Sequence, residues 1–432
     1  MYEHPLVRGK NQTRLTNPAG VAPMRQIACI AAVVVLQMPD EAGAQSVRDS
    51  AGIRVVTHPA AARPRTTWRL DPRPVLQFGG ANGTGPTEFS DIWDVARTSD
   101  GGVVASDGAT QELRVFDARG QFTHSIGRRG QGPGEFNQIK KIAVYGDTIY
   151  AVDTRRGTAV FLLDGTLVRH PPLPVTTPWY PIEVGGVFAD GSVLLTGAGG
   201  TREEMQRVGR RVEMRGLLRI ARDSRSADVL QLVPTYEHFR AADEPPGGGN
   251  VVVLAPSFSS AVFRDHFCMG RPVRYEVTCL DADGTVKQVI RRDIATQQVT
   301  RAAREAVIAS RKKVPPATGG HAQPSAIELE QLALRTPIAE SLPAYDFMMR
   351  GYDGELWVSD VLLAAWTKPY WEQVPAGTMR RWNVFARDGS WIAAIDVPAR
   401  LLVRDIGRDY ILGVTRDDDG VEGVAMYRLL VR

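Results

Sequence analysis

Two stretches of this chain share one unusual phrase, Gly79-Gly-Ala-Asn-Gly-Thr-Gly-Pro-Thr-Glu-Phe89 and Gly127-Arg-Arg-Gly-Gln-Gly-Pro-Gly-Glu-Phe136, and their closing phenylalanines lie 47 residues apart. Each is followed by a short apolar run, an Asp/Gly-rich turn and a second such run. A period of that length built only from short strands is the signature of a propeller blade, a small sheet that must stack against its neighbours to bury its faces. The feature constrains architecture strongly and chemistry hardly at all.

Laid side by side, Ile92–Ala96, Gly102–Asp107, Leu113–Asp117 and Phe122–Ile126 match Ile139–Val144, Thr148–Asp153, Gly157–Leu162 and Thr166–Arg169. Alternation within the runs suits stacked sheets, and the Asp-Gly and Arg-Gly pairs supply hairpin turns. The pattern returns less faithfully over 187–233, 249–291 and 347–395, and three further strands over 401–430 leave a sixth blade one strand short. The missing strand is at the other end. Pro74–Gly79 precedes the first Gly-Pro phrase as Phe122–Gly127 precedes the second, so it has no blade of its own. Pairing it beside the strand ending near Leu430 completes the ring and removes the open edges.

The expected fold is therefore all-β, a six-bladed β-propeller over 70–432, with the N-terminal strand closing the last blade. Residues 45–69 read as a flexible segment ahead of it. A short helical insertion, 293–340, interrupts the blade pattern. Asp293–Arg311 reads as a helix with Ile294, Val299, Ala303 and Val307 toward one side. Ser325 with Glu328 three residues on has the pattern of a capping box for a second helix. The insertion reads as a pair packed on the rim, with a lid or docking arm as the other reading.

The phrase Gly-x-x-Gly-x-Gly-Pro-Gly-Glu-Phe before an Asp-terminated strand resembles the bacterial six-bladed β-propellers related to NHL-repeat and TolB-like propellers. The likeness is fullest over Gly127–Phe136 with Asp153. In the first copy Ala81 and Asn82 stand for the arginines and Thr87 for Gly134. Such a resemblance implies the fold more firmly than the function, since the group includes binding proteins, scaffolds, lyases and hydrolases.

Ile27–Met38 is a 12-residue apolar run, too short to span a bilayer as a helix. Arg25 precedes it and Ala42-Gly-Ala44 follows, which reads as a signal peptide over 1–44 cleaved after Ala44, with Met24 as an alternative start. Gln26 stands where a lipoprotein signal before Cys29 would want Leu, so the expectation is a soluble protein exported to the periplasm or beyond, with no transmembrane span in the mature chain and a monomeric state. Cleavage leaves 48 basic against 45 acidic side chains, a balance of +3. These charges are scattered, so nucleic acid is not an expected partner. Cys268 and Cys279 remain, and both a disulfide and two buried thiols stay open. A simple hairpin turning at Met269–Pro272 would not set them opposite each other.

Gly130, Gly132 and Gly134 do not make a phosphate loop, because the segment leads into a strand and lacks the Gly-Lys-Ser/Thr ending. Asp107, Asp153 and Asp360 each end a second strand, where a carboxylate can cap the next turn. The blade-crossing loops and those turns should emerge on one face. That puts Arg128, Arg129, Glu135, Asp153, Arg155 and Arg156 in one neighbourhood, the candidate ligand site, although arginines and acids so placed can equally pair with each other. No short-spaced histidine pair marks a metal, and of the seven histidines only His238 and His266 invite inspection. No metal, cofactor or catalytic motif is assigned. The expected function is an exported ligand-binding or protein-interaction propeller for a polar or anionic ligand, a saccharide, a peptide or an envelope protein. The alternatives are a hydrolase or lyase with a polar, metal-dependent site at the central channel, and a purely structural role.

Overall fold

The computed structural model describes residues 45–174, 178–199, 206–244, 249–313, 325–368 and 372–431. The expected leader over 1–44, His321 and the pair Tyr370-Trp371 lie outside these residues. Six sheets, each built on four antiparallel strands, follow one another around a ring. Their inner strands are Ile92–Arg97, Ile139–Tyr145, Tyr180–Val187, Ser259–Val262, Met348–Arg350 and Leu401–Ile406. They belong to blades 1 to 6 in that order.

The ring is held by burial between sheets, not by any single core. Six apolar clusters each join two successive blades, for example Val104, Leu113 and Ile126 of blade 1 with Phe136, Ile142 and Phe161 of blade 2. The last cluster packs Leu412, Val414 and Val424 of blade 6 against Ile92, Val95 and Phe116 of blade 1, which closes the circle. Closure is also made by backbone hydrogen bonds between the two ends of the ring. Arg69–Gly79 runs antiparallel to Glu422–Leu430, with Gly79 opposite Gly423 and Arg69 opposite Leu430. Residues 74–79 thus sit where the strand count requires.

The Gly-Pro phrase is a packing device. Gly127 has φ +73, and a Cβ on it would come within 2.4 Å of the Phe136 ring, which is wholly buried. Gly79 stands in the same relation to Phe89, with φ +76 and a 3.0 Å approach. Only glycine lets the chain turn from an outer strand while the closing phenylalanine folds back onto it.

Residues 45–69 are not the flexible segment expected. Ser46–Ser50 and Ile53–His58 form a hairpin, and the second strand adds in parallel to Val286–Arg292 at the outer edge of blade 4. Thr66–Thr67 then pairs in parallel with Trp391–Pro398 of blade 5. The cause is apolar content: Val55, Val56, Ala62 and Trp68 are buried between or against these blades.

The insertion also departs from expectation at its start. Helix α1 spans Arg301–Arg311, and residues 293–300 are not helical, because the Thr300 side chain caps the helix by accepting from the Ala303 N–H. Helix α2, Ala326–Arg335, carries the Ser325/Glu328 capping box. Val299, Ala303, Val307, Ile338 and Ala339 bury against Val252–Ala255, the stretch leading into blade 4. Cys268 and Cys279 are direct cross-strand partners in blade 4 and are joined as a disulfide. The hairpin turns through 271–275, further along than the Met269–Pro272 turn, and that shift brings the two cysteines opposite.

Candidate functional site

The two kinds of loop expected on one face do meet there, around Asp153. This carboxylate is fully buried and accepts four backbone N–H bonds. Asn137 and Gln138 of the crossing loop donate at 2.6 and 2.7 Å, and Arg155 and Arg156 of the following turn at 2.7 and 3.0 Å. It is therefore a structural clasp, with no oxygen left for a ligand. Asp107 does the equivalent work in blade 1, accepting from Ala109 and Thr110 and pairing with Arg114 at 3.0 Å.

Glu135, Arg128, Arg129 and Arg156 also have internal partners. Glu135 accepts from the Gly132 N–H and from Arg128 Nε, both at 2.8 Å, and these bonds, the amide first, hold its carboxyl below the usual range. Arg129 donates to the Ala109 carbonyl, and Arg156 to the carbonyls of Gln131 and Gly132. Arg128 nevertheless stays 80% exposed.

A much larger concavity lies at the other end of the inner strands. The strand Ile139–Tyr145 begins beside Asp153, and from Lys141 onward it lines this cavity. The cavity measures about 810 Å³ and is lined by residues from the inner strands of all six blades and the turns that follow them. It is the mouth of the central channel on the side opposite the crossing loops.

Its lining is basic. Arg97, Lys141, Arg264, Arg350, Arg404 and Arg408 face it, against two acids, Asp405 and Asp409. Lys141 is paired with Asp94 at 3.1 Å and Arg408 with Asp353 at 3.1 Å, while Arg97 has Asp409 at 3.7 Å. Among the described residues Arg264, Arg350 and Arg404 have no ion pair, and the Nε atoms of Arg97 and Arg404 are shielded from solvent without a hydrogen-bond partner. Asp405 is already engaged, taking the Tyr410 hydroxyl at 2.7 Å and the Arg97 backbone N–H at 3.1 Å.

Tyrosine rings hold these cations in place. Arg264 and Arg350, from blades 4 and 5, both lie over Tyr145 of blade 2, at 5.4 and 5.7 Å from its centroid. Arg97 lies over Tyr410 at 4.7 Å and Arg408 over Tyr352 at 5.3 Å. The Tyr145 hydroxyl donates to the Val187 carbonyl at 2.7 Å. Burial pushes the Tyr145 phenol up, against the opposing pull of Arg350 and then Arg264. The Tyr145 phenol therefore stays neutral and does not neutralise the two arginines over it.

Sequence reasoning missed this set. The signal was present: the inner-strand segments Ile92–Arg97, Ala261–Arg264, Phe347–Arg350 and Leu401–Arg404 all finish an apolar run with arginine. It becomes visible only once the blades are aligned on their inner strands. His238 and His266 are not brought together as a pair of ligands. His238 bonds Glu213 at 3.0 Å within blade 3, and His266 bonds Asp265 at 2.7 Å and stacks on Phe263 in blade 4. Among the described residues no group of three or more His, Cys, Asp or Glu side chains could hold a metal ion. Among the loop aromatics, Trp179 folds back on blade 3 against Gly197, Gly199 and Gly216, Trp366 packs into the insertion cluster, and Tyr180 is 79% exposed. Trp93 lies partly exposed under the Lys140 ammonium.

The sequence of residues 86–178 matches the model of a family, DUF5128, described as a 6-bladed beta-propeller. With the six stacked sheets and the closing strand, that decides the architecture. The chain is a six-bladed β-propeller. Solved structures similar to this propeller include a DUF4221-family member from Bacteroides vulgatus, 10% identical, covering 85% of this chain and 100% of that one with a TM-score of 0.49. A regucalcin from Agrobacterium tumefaciens, named as calcium-binding, is 10% identical and covers 85% and 97% at a TM-score of 0.37. A luciferin-regenerating enzyme is 9% identical and covers 80% and 92%, also at 0.37. No curated protein matches the propeller's sequence. Among its described residues no helix is long and apolar enough to cross a membrane.

Proposed function

We propose that this propeller is an exported binding protein that takes a polar, anionic ligand in the basic mouth of its channel, without covalent chemistry. The observation that supports it is the convergence of Arg264, Arg350 and Arg404, from three blades, on one cavity without carboxylate partners among the described residues. Arginine's forked donors suit carboxylate, phosphate and sulfate groups, and a cavity lined by one sign of charge concentrates the opposite ion. An anionic saccharide or an acidic peptide side chain would meet the same need. Export is supported by the apolar run over 27–38 with the small residues Ala42 and Ala44.

The competing location is the crossing-loop face with Arg128, Arg129 and Arg155, favoured by the exposure of Arg128. A thermal-shift screen of oxyanions, saccharides, peptides and divalent ions tests the function. The expected result is stabilisation by anionic compounds, reduced in Arg350→Gln/Arg404→Gln, with each compound recovered chemically unchanged. Turnover of a bound compound, or a metal ion retained in stoichiometric amount, would replace this reading with the hydrolase or lyase one.

A further inference from the structure

The channel cations come from five of the six blades. Arg97 comes from blade 1, Lys141 from blade 2, Arg264 from blade 4, Arg350 from blade 5 and Arg404 from blade 6. Blade 3 contributes Gly185, Gly186 and Val187 and no charge. Its glycines are fixed by packing, since a Cβ on Gly185 would come within 2.9 Å of Ser260 Oγ and one on Gly186 within 2.8 Å of Val262 Cβ. The wall is therefore neutral on one side and cationic on the others.

A cavity of about 810 Å³ has room for more than a single oxyanion, and its cations rest on separate supports, Arg264 and Arg350 on Tyr145, Arg97 on Tyr410 and Arg408 on Tyr352. These arginines are not floppy surface charges. Arg264 and Arg350 rest on the Tyr145 ring and Arg97 on Tyr410, contacts that order the side chains before anything binds. Like charges held this way repel one another until an anion arrives.

Resting on the proposed channel site, we infer that its ligand is a small oxyanion carrying at least two anionic groups, a polycarboxylate or a polyphosphate, whose charged groups engage separate blades while a neutral part faces blade 3. Two consequences follow. Affinity climbs with the number of anionic groups, not only with their concentration. The protein without ligand is strained by its own arginines, so neutralising two of them does not destabilise it.

The test is calorimetric titration with two ladders at constant ionic strength, acetate, succinate and citrate in one and phosphate, pyrophosphate and tripolyphosphate in the other. Holding ionic strength fixed keeps screening from imitating the trend. Each added anionic group should tighten binding roughly tenfold, ~1.4 kcal/mol. In Arg264→Gln/Arg350→Gln the dependence should flatten to less than threefold per group, with a melting temperature in ligand-free buffer at or above that of the parent. Arg264→Lys/Arg350→Lys keeps the charges and should retain the climb, which guards against a folding defect in the glutamine variant. A rise in one ladder with the other flat supports the inference and assigns the headgroup. Monoanions binding as tightly as trianions, with binding lost in the glutamine variant, would overturn the polyanion inference and leave channel binding standing. A climb that survives both arginine replacements would overturn the inference and the channel site together.

Discussion

A single carboxylate can belong to a binding site or to the scaffold, and Asp153 shows how hydrogen-bond accounting separates the two. Its four backbone donors come from two loops, the crossing loop and the turn after the second strand. Removing a buried charged acceptor leaves those donors unsatisfied, at a cost of roughly 2–4 kcal/mol. Asp153→Ala should therefore lose about that much stability in chemical denaturation, while Arg128→Gln, an exposed partner of Glu135, should change it by about 0.5 kcal/mol or less. Equal losses in the two variants would contradict the assignment. His58 offers a second test at this scale. Its Nε2 faces the Gly389 carbonyl at 2.9 Å between the Phe385 and Trp391 rings, and burial lowers its pKa from the ordinary 6.5. His170 is lowered as well, by burial and then by Arg156. As pH falls the unfolded chain takes up these protons first. Their contribution is thus complete above about pH 6.5 and is lost as pH falls through that value toward the folded pKa. Denaturation midpoints should drop between pH 7.5 and 5.5, and His58→Gln should make that drop shallower; an unchanged slope would show that His58 titrates freely. The capping roles of Asp107 and Asp153 were legible in the sequence because each closes the second strand of its blade, whereas Asp360 accepts from the Asn383 side chain instead. The channel arginines were not, because no two of them are near one another in the chain.

At the scale of elements, what was legible follows from sequence distance. The closing strand over 74–79 announces itself by preceding the same Gly-Pro phrase that an ordinary outer strand precedes. The strand Ile53–His58 gives no such notice, since its parallel partner Val286–Arg292 lies far along the chain and parallel edge pairing leaves no turn motif between them. The same holds for Cys268 and Cys279, whose facing depends on a turn shifted by a few residues. Labelling of the unreduced protein with a thiol reagent should leave both cysteines unmodified; labelling at either would contradict the bridge. The two N-terminal additions should also differ in weight. Ser46–Ser50 is exposed at every position, so deleting 45–51 should shift the denaturation midpoint only slightly. Deleting 45–79 removes Trp68, Leu76 and the strand that pairs Glu422–Leu430, and should abolish cooperative unfolding. Survival of a cooperative transition in the longer deletion would mean that the ring closes without that strand. Helix α1 begins at Arg301 because Thr300 caps it, a signal outweighed in the sequence by the apolar spacing of Ile294 and Val299.

For the molecule as a whole, a formal charge of only +4 says little about partners. Placement changes its meaning, because six basic side chains and only two acidic ones line one end of the channel. The ring creates that concentration by ending four inner strands near arginine and pointing those ends the same way. Six interblade clusters make the ring rigid enough to hold the arginines apart while ligand is absent. The expected neighbourhood at the crossing loops did assemble, but its two acids and three of its four arginines are consumed by capping bonds, ion pairs or loop carbonyls. The two ends of the channel thus offer a direct comparison. Titration of citrate and pyrophosphate into Arg264→Gln/Arg350→Gln and into Arg128→Gln/Arg129→Gln, beside the parent protein, decides between them. The channel pair should lose at least about tenfold in affinity, ~1.4 kcal/mol, and the loop pair should bind as the parent does. Loss in the loop pair with full affinity in the channel pair would contradict the account.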